Sequence, residues 1–383
     1  MLLTLYILTT LYVATIILFL IGLSKKKPGT NRDRLTVTVI VAARNEEHTI
    51  GNILQDLTRQ TYPVSLYRVI VVNDGSTDNT QQVIDSFTRR YDYITSSNIQ
   101  DIPAGFSPKK YALQCAINSS TSEIILTTDA DCRVHPTWIE NMVTYFTPKT
   151  GFVIGFSQFG AKNEPQNCIE RLQAFDFLQM MGVAAGTCNI GVPMAASGQN
   201  LGYRRDAFMQ IGGFTRIAHR VSGDDVLLLQ LVKKYTDYRI VFAADPRSRA
   251  FSAPQPDLVS FINQRIRWAS NGSYQLFLNI PFFAYLLLYY VFSFFILFGL
   301  SCSFFTHHHQ AFFLSGLLIK LLADFAITLK SALTFQRTDL LKYFPVWFIV
   351  QLPYIVYVGF LGTFGSFKWK ERRHNAVVNK NRS

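Results

Sequence analysis

The sequence predicts an α/β domain with a mainly parallel sheet, held between membrane-spanning helices at both ends of the chain. Three observations predict this. Residues 1–24, 281–306 and 344–367 contain no Asp, Glu, Lys or Arg, and each stretch reaches the ~20 residues that a span requires. The segment between the first two has an ordinary mix of charge, with β-branched runs of strand length alternating with helical patterns. Three of those runs end in polar clusters, and open α/β sheets bind ligands beyond the carboxyl ends of their strands.

Composition agrees. Charged residues make up 16% of the chain, below the ~25% of a typical soluble domain. Hydrophobic residues reach 49% and aromatics 14%, and the mean hydropathy is +0.16. A soluble protein is excluded, and so is a disordered one, because apolar content is high and no low-complexity run occurs. The formal net charge is +12, with much of the excess beside apolar segments. No nucleic-acid-binding motif is present, so no nucleic-acid partner is expected. The cysteines, Cys115, Cys132, Cys168, Cys188 and Cys302, are odd in number and lack C-x-x-C spacing, which suits reduced thiols.

Residues 1–24 read as a retained anchor. A signal peptide would open on basic residues; here none precedes the apolar stretch, and Lys25, Lys26 and Lys27 follow it. Ala311–Leu329 is a fourth membrane segment, interrupted by Lys320 and Asp324 at i, i+4 spacing. Such a pair either faces a bundle interior or simply neutralises itself near an interface. Basic residues mark the cytoplasmic side, so Lys25–Lys27, Arg32 and Arg34 place the globular domain inside. The loop His307–His309 belongs outside, and Lys330, Arg337 and Lys342 inside. The basic tail emerges outside if 344–367 crosses fully, whereas Pro345 and Pro353 would suit a re-entrant segment. The expected organisation is an anchor at 1–24, a cytosolic domain at 25–280, a membrane region of about three segments at 281–367 and a basic tail at 368–383.

Within the domain, Leu35–Ala43 is a strand ending at Arg44-Asn45-Glu46, followed by a helix over Glu47–Gln60. Leu66–Val72 is a second strand, ending at Asn73-Asp74-Gly75-Ser76, with a helix over Asp78–Arg90. A short strand at Tyr93–Ser96 and a helix at Pro108–Ser119 precede the strand Glu123–Thr128, which ends at Asp129-Ala130-Asp131. Neither G-x-G-x-x-G nor a P-loop occurs, which argues against a dinucleotide oxidoreductase or an NTPase.

Each polar cluster supports two readings. Asp129 and Asp131 are hard carboxylates that can hold Mg²⁺ or Mn²⁺ together with phosphate oxygens, or they form a solvated turn before a helix. Asp74 can accept from a base or ribose, with Gly75 permitting close backbone approach, or Asn-Asp-Gly-Ser is a capped turn. Lys109 and Lys110 open a helix, where cations are disfavoured; a bound anion would offset this, or they are surface lysines. Asp224 and Asp225 precede the apolar run Val226–Val232, as a general base with a tuning partner or as a helix cap. Gln264, Arg267 and Trp268 share one helical face, suited to a diphosphate and a sugar ring, or to lipid headgroups at an interface.

Taken together these segments, from about Val37 to Trp268 with the C-terminal spans, resemble the membrane-bound glycosyltransferases of family 2. The matching pieces stand in family order: Val41–Glu47, Val72–Asp78, Lys109–Gln114, Asp129-Ala130-Asp131, Gly198-Gln199-Asn200, Gly212-Gly213-Phe214, Gly223-Asp224-Asp225 and Gln264-Arg265-Ile266-Arg267-Trp268. The resemblance implies a GT-A fold with a Rossmann-like mixed sheet, and inverting transfer from a nucleotide sugar, usually a UDP-sugar, with a divalent metal. By position it implies that Ala43, Glu46, Asp74, Lys109 and Asp129 contact the nucleotide, and that Asp129 and Asp131 hold Mg²⁺ or Mn²⁺. It makes Asp225 the base, with Asp224 beside it. Gln264, Arg265, Arg267 and Trp268, with Gln199 and Asn200, form the diphosphate and acceptor set. Asp224 stands where the family commonly has Glu, and Pro108 where Gly is usual.

The expected acceptor is a lipid, a lipid-linked glycan or a growing glycan at the cytoplasmic face of the cell membrane, and the basic flank would meet anionic membrane lipids. Two other activities fit the same motifs less well. A processive polysaccharide synthase would need a wide channel, and three C-terminal segments are few for that. A catalytically silent scaffold would be free to lose Asp129, Asp131 or Asp225, and all are present.

Overall fold

The computed structural model describes residues 2–25, 27–99, 101–160, 167–306, 308–369 and 372–375. Lys26, His307 and most of the basic tail lie outside the described residues. In chain order the elements are α1 (Leu2–Ser24), β1 (Val37–Ala43), α2 (Ile50–Thr58), β2 (Tyr67–Asn73), α3 (Thr80–Thr88), β3 (Ile94–Asn98), α4 (Pro108–Ser119), β4 (Ile124–Asp129), β5 (Cys132–Val134) and α5 (Trp138–Val143). There follow β6 (Thr150–Gly155), β7 (Ser157–Phe159), α6 (Cys168–Asn189), β8 (Leu201–Arg204), α7 (Arg205–Gln210), α8 (Val226–Tyr235), β9 (Arg239–Ala243) and β10 (Ala250–Ser252). The chain closes with α9 (Leu258–Ala269), α10 (Gln275–Leu278), α11 (Ile280–Thr306), α12 (Gln310–Thr334), α13 (Phe344–Phe364) and the hairpin β11 (Ser366–Trp369) and β12 (Arg372–Asn375). These elements fall into two units, one of residues 26–161 and 195–253, the other of 1–25, 162–194 and 254–383.

The first unit is built on a seven-stranded sheet of order β3-β2-β1-β4-β8-β6-β9. Val37, Val39, Ile40 and Val41 of β1 are all fully buried, so both faces of the strand are covered and its apolar run is continuous rather than alternating. Helix α2 buries Ile50, Ile53, Leu54 and Leu57, the i, i+3, i+4, i+7 stripe of an amphipathic helix. The expected parallel pairing holds from β3 to β4. The sheet is mixed beyond that point, because β8 runs antiparallel to both β4 and β6. Its register explains why: Leu201 pairs with Thr127 near the carboxyl end of β4, so the chain enters there from residues 195–200 and must run back. A three-stranded sheet, β5-β10-β7, completes the unit.

The second unit is helical. Among the described residues, four helices are long and apolar enough to cross a membrane: Leu2–Ser24, Ile280–Thr306, Gln310–Thr334 and Thr338–Phe364. Helix α13 runs on through Pro353, while Pro345 sits in its first turn, where the missing N–H has no intrahelical partner to lose. Lys320 is fully buried and paired with Asp324, which also accepts from the Tyr12 hydroxyl of α1 and, at 2.8 Å, from Gln351 Nε2 of α13. The pair therefore faces the bundle interior. Close approach of α1 to α6 depends on glycine, since a Cβ on Gly22 would lie 1.9 Å from the carbonyl oxygen of Gly186. Helices α6 and α9 pack in this unit. Helix α6 carries Glu170, Arg171 and Asp176 and reads as soluble in sequence.

Candidate active site

The carboxyl ends of β1 and β2 are laced together by side chains. Asn45, at φ 53, accepts from Thr77 N at 2.9 Å, and its own N–H donates to Ser76 Oγ at 3.0 Å. Glu46 N donates to Thr80 Oγ1, while a Glu46 carboxylate oxygen accepts from Thr49 Oγ1 at 2.7 Å. Asp74 N donates to Ala43 O, and the Asp74 carboxylate lies 3.7 Å from the Arg44 guanidinium. Gly75 follows at φ +64, a conformation in which a side chain would be strained. Ala43, Glu46 and Asp74 thus stand on one rim, at the end of the sheet where the topology places ligands.

One strand further, β4 delivers Asp129. Lys109, in the first turn of α4, donates to Asp129 Oδ1 at 3.0 Å and reaches Asp224 Oδ2 at 2.9 Å. It therefore joins the D-x-D pair to the Gly223-Asp224-Asp225 loop. Burial alone would lower the Lys109 ammonium, but the charges of Asp129 and Asp224 outweigh it and hold the group protonated. Burial would likewise raise Asp224; Lys109 and Lys110 hold it down at about 2. Lys110 is itself buried and donates to the carbonyls of Arg220 and Ser222, the residues leading into that loop. Burial pushes Lys110 down to about 7. Neither lysine is the surface cation that sequence allowed, and the unfavourable placement at a helix N-terminus is offset by protein carboxylates and carbonyls.

Asp225 caps α8. Its Oδ1 accepts from Val226 N at 2.6 Å and its Oδ2 from Gly198 N at 3.0 Å. Burial first, and then the charge of Asp224, raises the Asp225 carboxyl above its ordinary value. Capping and base chemistry are therefore compatible, because each oxygen spends one lone pair on an N–H and keeps another. A water-sized cavity of about 10 Å³ is lined by Lys109, Thr128, Asp129, Gly198, Tyr203 and Asp224. Gln199, next in the Gly198 loop, donates to Ser252 Oγ at 2.6 Å. Asn200 is fully buried, accepting from Trp138 Nε1 and donating to Phe156 O and Ser248 O. Its amide braces the loop; no sequence signal distinguished that task from the acceptor contact expected of it.

Gln264, Arg265, Arg267 and Trp268 lie on α9, in the helical unit. Gln264, Arg267 and Trp268 are half-buried, whereas Arg265 is buried and paired with Asp176 of α6 at 2.7 Å. Asp176 is a residue that sequence reading passed over.

A divalent cation fits the donor set at the end of β4. Asp129 and Asp131 supply hard carboxylate oxygens, and burial together with the charges of Asp129 and Glu46 pushes the Asp131 carboxyl up to about 7. That is a local excess of negative charge which a cation would relieve. Among the described residues no group of three or more His, Cys, Asp or Glu side chains forms a closed metal site, so the remaining ligands would be water or a bound diphosphate.

Residues 38–212 match the model of the family described as glycosyl transferase family 2. The chain carries a glycosyl transferase family 2 domain. It is 31% identical over 212 residues to the glycosyltransferase AglE of Haloferax volcanii, covering 55% of this chain and 64% of that protein. It is 26% identical over 348 residues to the probable glycosyltransferase YdaM of Bacillus subtilis, covering 84% of this chain and 79% of the relative. Among solved structures, the mannosyltransferase PcManGT from Pyrobaculum calidifontis, in complex with GDP-Man and Mn²⁺, superposes with a TM-score of 0.62 at 19% identity, covering 94% of this chain and 99% of that one. At that identity the likeness establishes the shared fold, and the α/β unit is a GT-A domain.

Proposed function

We propose that the protein transfers a sugar, with inversion, from a nucleotide sugar to a lipid or lipid-linked acceptor at the cytoplasmic face of the cell membrane. The observation that carries this reading is the Lys109 bridge, which ties the D-x-D carboxylate to the loop of the buried base candidate. Ala43, Glu46 and Asp74 would hold the nucleoside along the β1–β2 rim, and Asp129 and Asp131 would hold Mg²⁺ or Mn²⁺. When bound, the cation neutralises charge developing on the departing diphosphate. Asp225 takes the proton of the acceptor hydroxyl as that oxygen bonds to the anomeric carbon and the carbon–oxygen bond to the diphosphate breaks. The backbone N–H groups of Gly198 and Val226 fix the carboxylate in position, and its raised pKa strengthens it as a base. Gln264 and Arg267 would grip the diphosphate, with Trp268 against the acceptor. Four apolar helices in the same chain support an acceptor that resides in the membrane.

The test is nucleotide release by the purified full-length protein with Mn²⁺ or Mg²⁺. It uses a panel of UDP- and GDP-sugars, membrane lipid extract and mass spectrometry of the product. Metal-dependent release with one donor and a single addition to lipid is expected. A polymeric product would overturn the single-addition reading, and failure to bind any nucleotide sugar would overturn the transferase reading.

A further inference from the structure

Helix α6 presents Gln173, Asp176 and Phe177 at i, i+3 and i+4, on one face. All three engage the segment that bears Gln264-Arg265-Ile266-Arg267-Trp268. Gln173 and Gln255, just ahead of α9, exchange reciprocal hydrogen bonds of 2.9 Å through side-chain amide and backbone. Asp176 Oδ2 accepts from Arg265 Nε at 2.7 Å, with Arg265 only 3% exposed. Phe177 lies against Trp268 with ring centroids 5.9 Å apart.

Arg265 also contacts the two side chains expected to meet substrate, besides a hydrogen bond with Tyr354 of α13. Its Nη1 donates to Gln264 Oε1 at 2.5 Å, and its guanidinium carbon lies 4.3 Å from the centre of the Trp268 ring. The opposite neighbour is the Phe261 ring, at 4.5 Å, itself stacked on Tyr354 of α13. The bond to Gln264 has a chemical consequence. A cation holding the carbonyl end of the amide fixes which way that amide points and leaves its NH₂, a donor, as the end available to an anion. An unheld glutamine would present either end.

We propose that Asp176, acting through Arg265, is the positioning residue that orients Gln264 as a donor toward the donor-sugar diphosphate and fixes the plane of Trp268. The inference rests on the transferase reading. Lysine does not reproduce this role, since it lacks the planar guanidinium whose separate nitrogens bond Asp176 and Gln264 while its carbon lies over the Phe261 and Trp268 rings.

The test is steady-state kinetics of full-length protein carrying Arg265→Lys, Asp176→Asn, Gln264→Ala and the Arg265→Lys/Gln264→Ala pair, with thermal unfolding as the control for folding. Arg265→Lys, which keeps the charge opposite Asp176, is expected to fold and to lose about tenfold or more in kcat; a folded Asp176→Asn protein is expected to lose a comparable factor, and its working at the wild-type rate overturns the proposal. Its kcat/KM should fall by a similar factor, the signature of an interaction made in the transition state. In the Gln264→Ala background the same substitution should cost little more, because the amide it orients is gone. An Arg265→Lys enzyme at the wild-type rate, or a loss that adds in full to that of Gln264→Ala, overturns the proposal. Should Arg265→Lys not fold, Gln264→Glu decides: the carboxylate keeps the bond to Arg265 but offers no donor, so a loss as large as that of Gln264→Ala is expected, and wild-type activity overturns the proposal. A wild-type protein that transfers no sugar overturns the transferase reading, and this inference with it.

Discussion

Lys109 makes the two contacts on which the site depends, to Asp129 and to Asp224, and neither carboxylate has another lysine or arginine within ion-pair distance among the described residues. Lys109→Met should leave Asp129 without an ion-pair partner and Asp224 with only the nearby charge of Lys110, lower the unfolding temperature and reduce transfer at least about a hundredfold, with Lys109→Arg partly restoring it. Asp225 supplies a second prediction. A base must be ionised to act, and burial and Asp224 raise its carboxyl, so kcat/KM should fall on acidification with a midpoint above the usual carboxylate range. Asp224→Asn removes the repelling charge and should move that midpoint to lower pH; a pH–rate profile checks both. The aspartates were legible in sequence because they sit at strand and helix ends, where local pattern is informative. The Lys109 bridge was not, since Asp224 is remote in sequence and only the fold brings it to α4. Nor was the bracing task of Asn200, which is set by Trp138 and Ser248, far along the chain.

At the scale of elements, the strands and helices through β4 follow from β-branched runs and polar ends, with bounds shifted by a few residues. Helix α6 escaped because its three charged residues mask an apolar face that packs against α1 and α12. That packing is tight at Gly22 and Gly186, so Gly186→Leu should separate α1 from α6, costing about 1–3 kcal/mol or more, visible as a lower melting temperature in detergent. The buried pair on α12 gives a complementary prediction. Asp324→Leu strands the Lys320 charge and should cost about 3–5 kcal/mol, whereas Lys320→Met/Asp324→Leu should recover much of it. A double variant no better than the single would show that the Tyr12 and Gln351 bonds to Asp324, rather than the ion pair, secure the helices.

For the whole molecule, three of the apolar helices were legible from charge-free stretches, because hydrocarbon excludes charge over a fixed thickness, and the fourth from an apolar run broken by Lys320 and Asp324. The orientation proposed from basic flanks makes a direct prediction. In a cysteine-free background, His308→Cys should react with a membrane-impermeant maleimide in intact cells, and Arg32→Cys only after lysis. The reverse pattern would put the GT-A unit outside, away from soluble nucleotide sugars.

The central claim is that Asp225 moves the proton while Asp129 and Asp131 serve the donor and its metal. Asp225→Asn tests it most directly, assayed for both nucleotide-sugar binding by calorimetry with Mn²⁺ and single-turnover transfer. A donor Kd within about threefold of wild type is expected, with transfer reduced by about three orders of magnitude or more. Transfer at the wild-type rate with binding intact would contradict it.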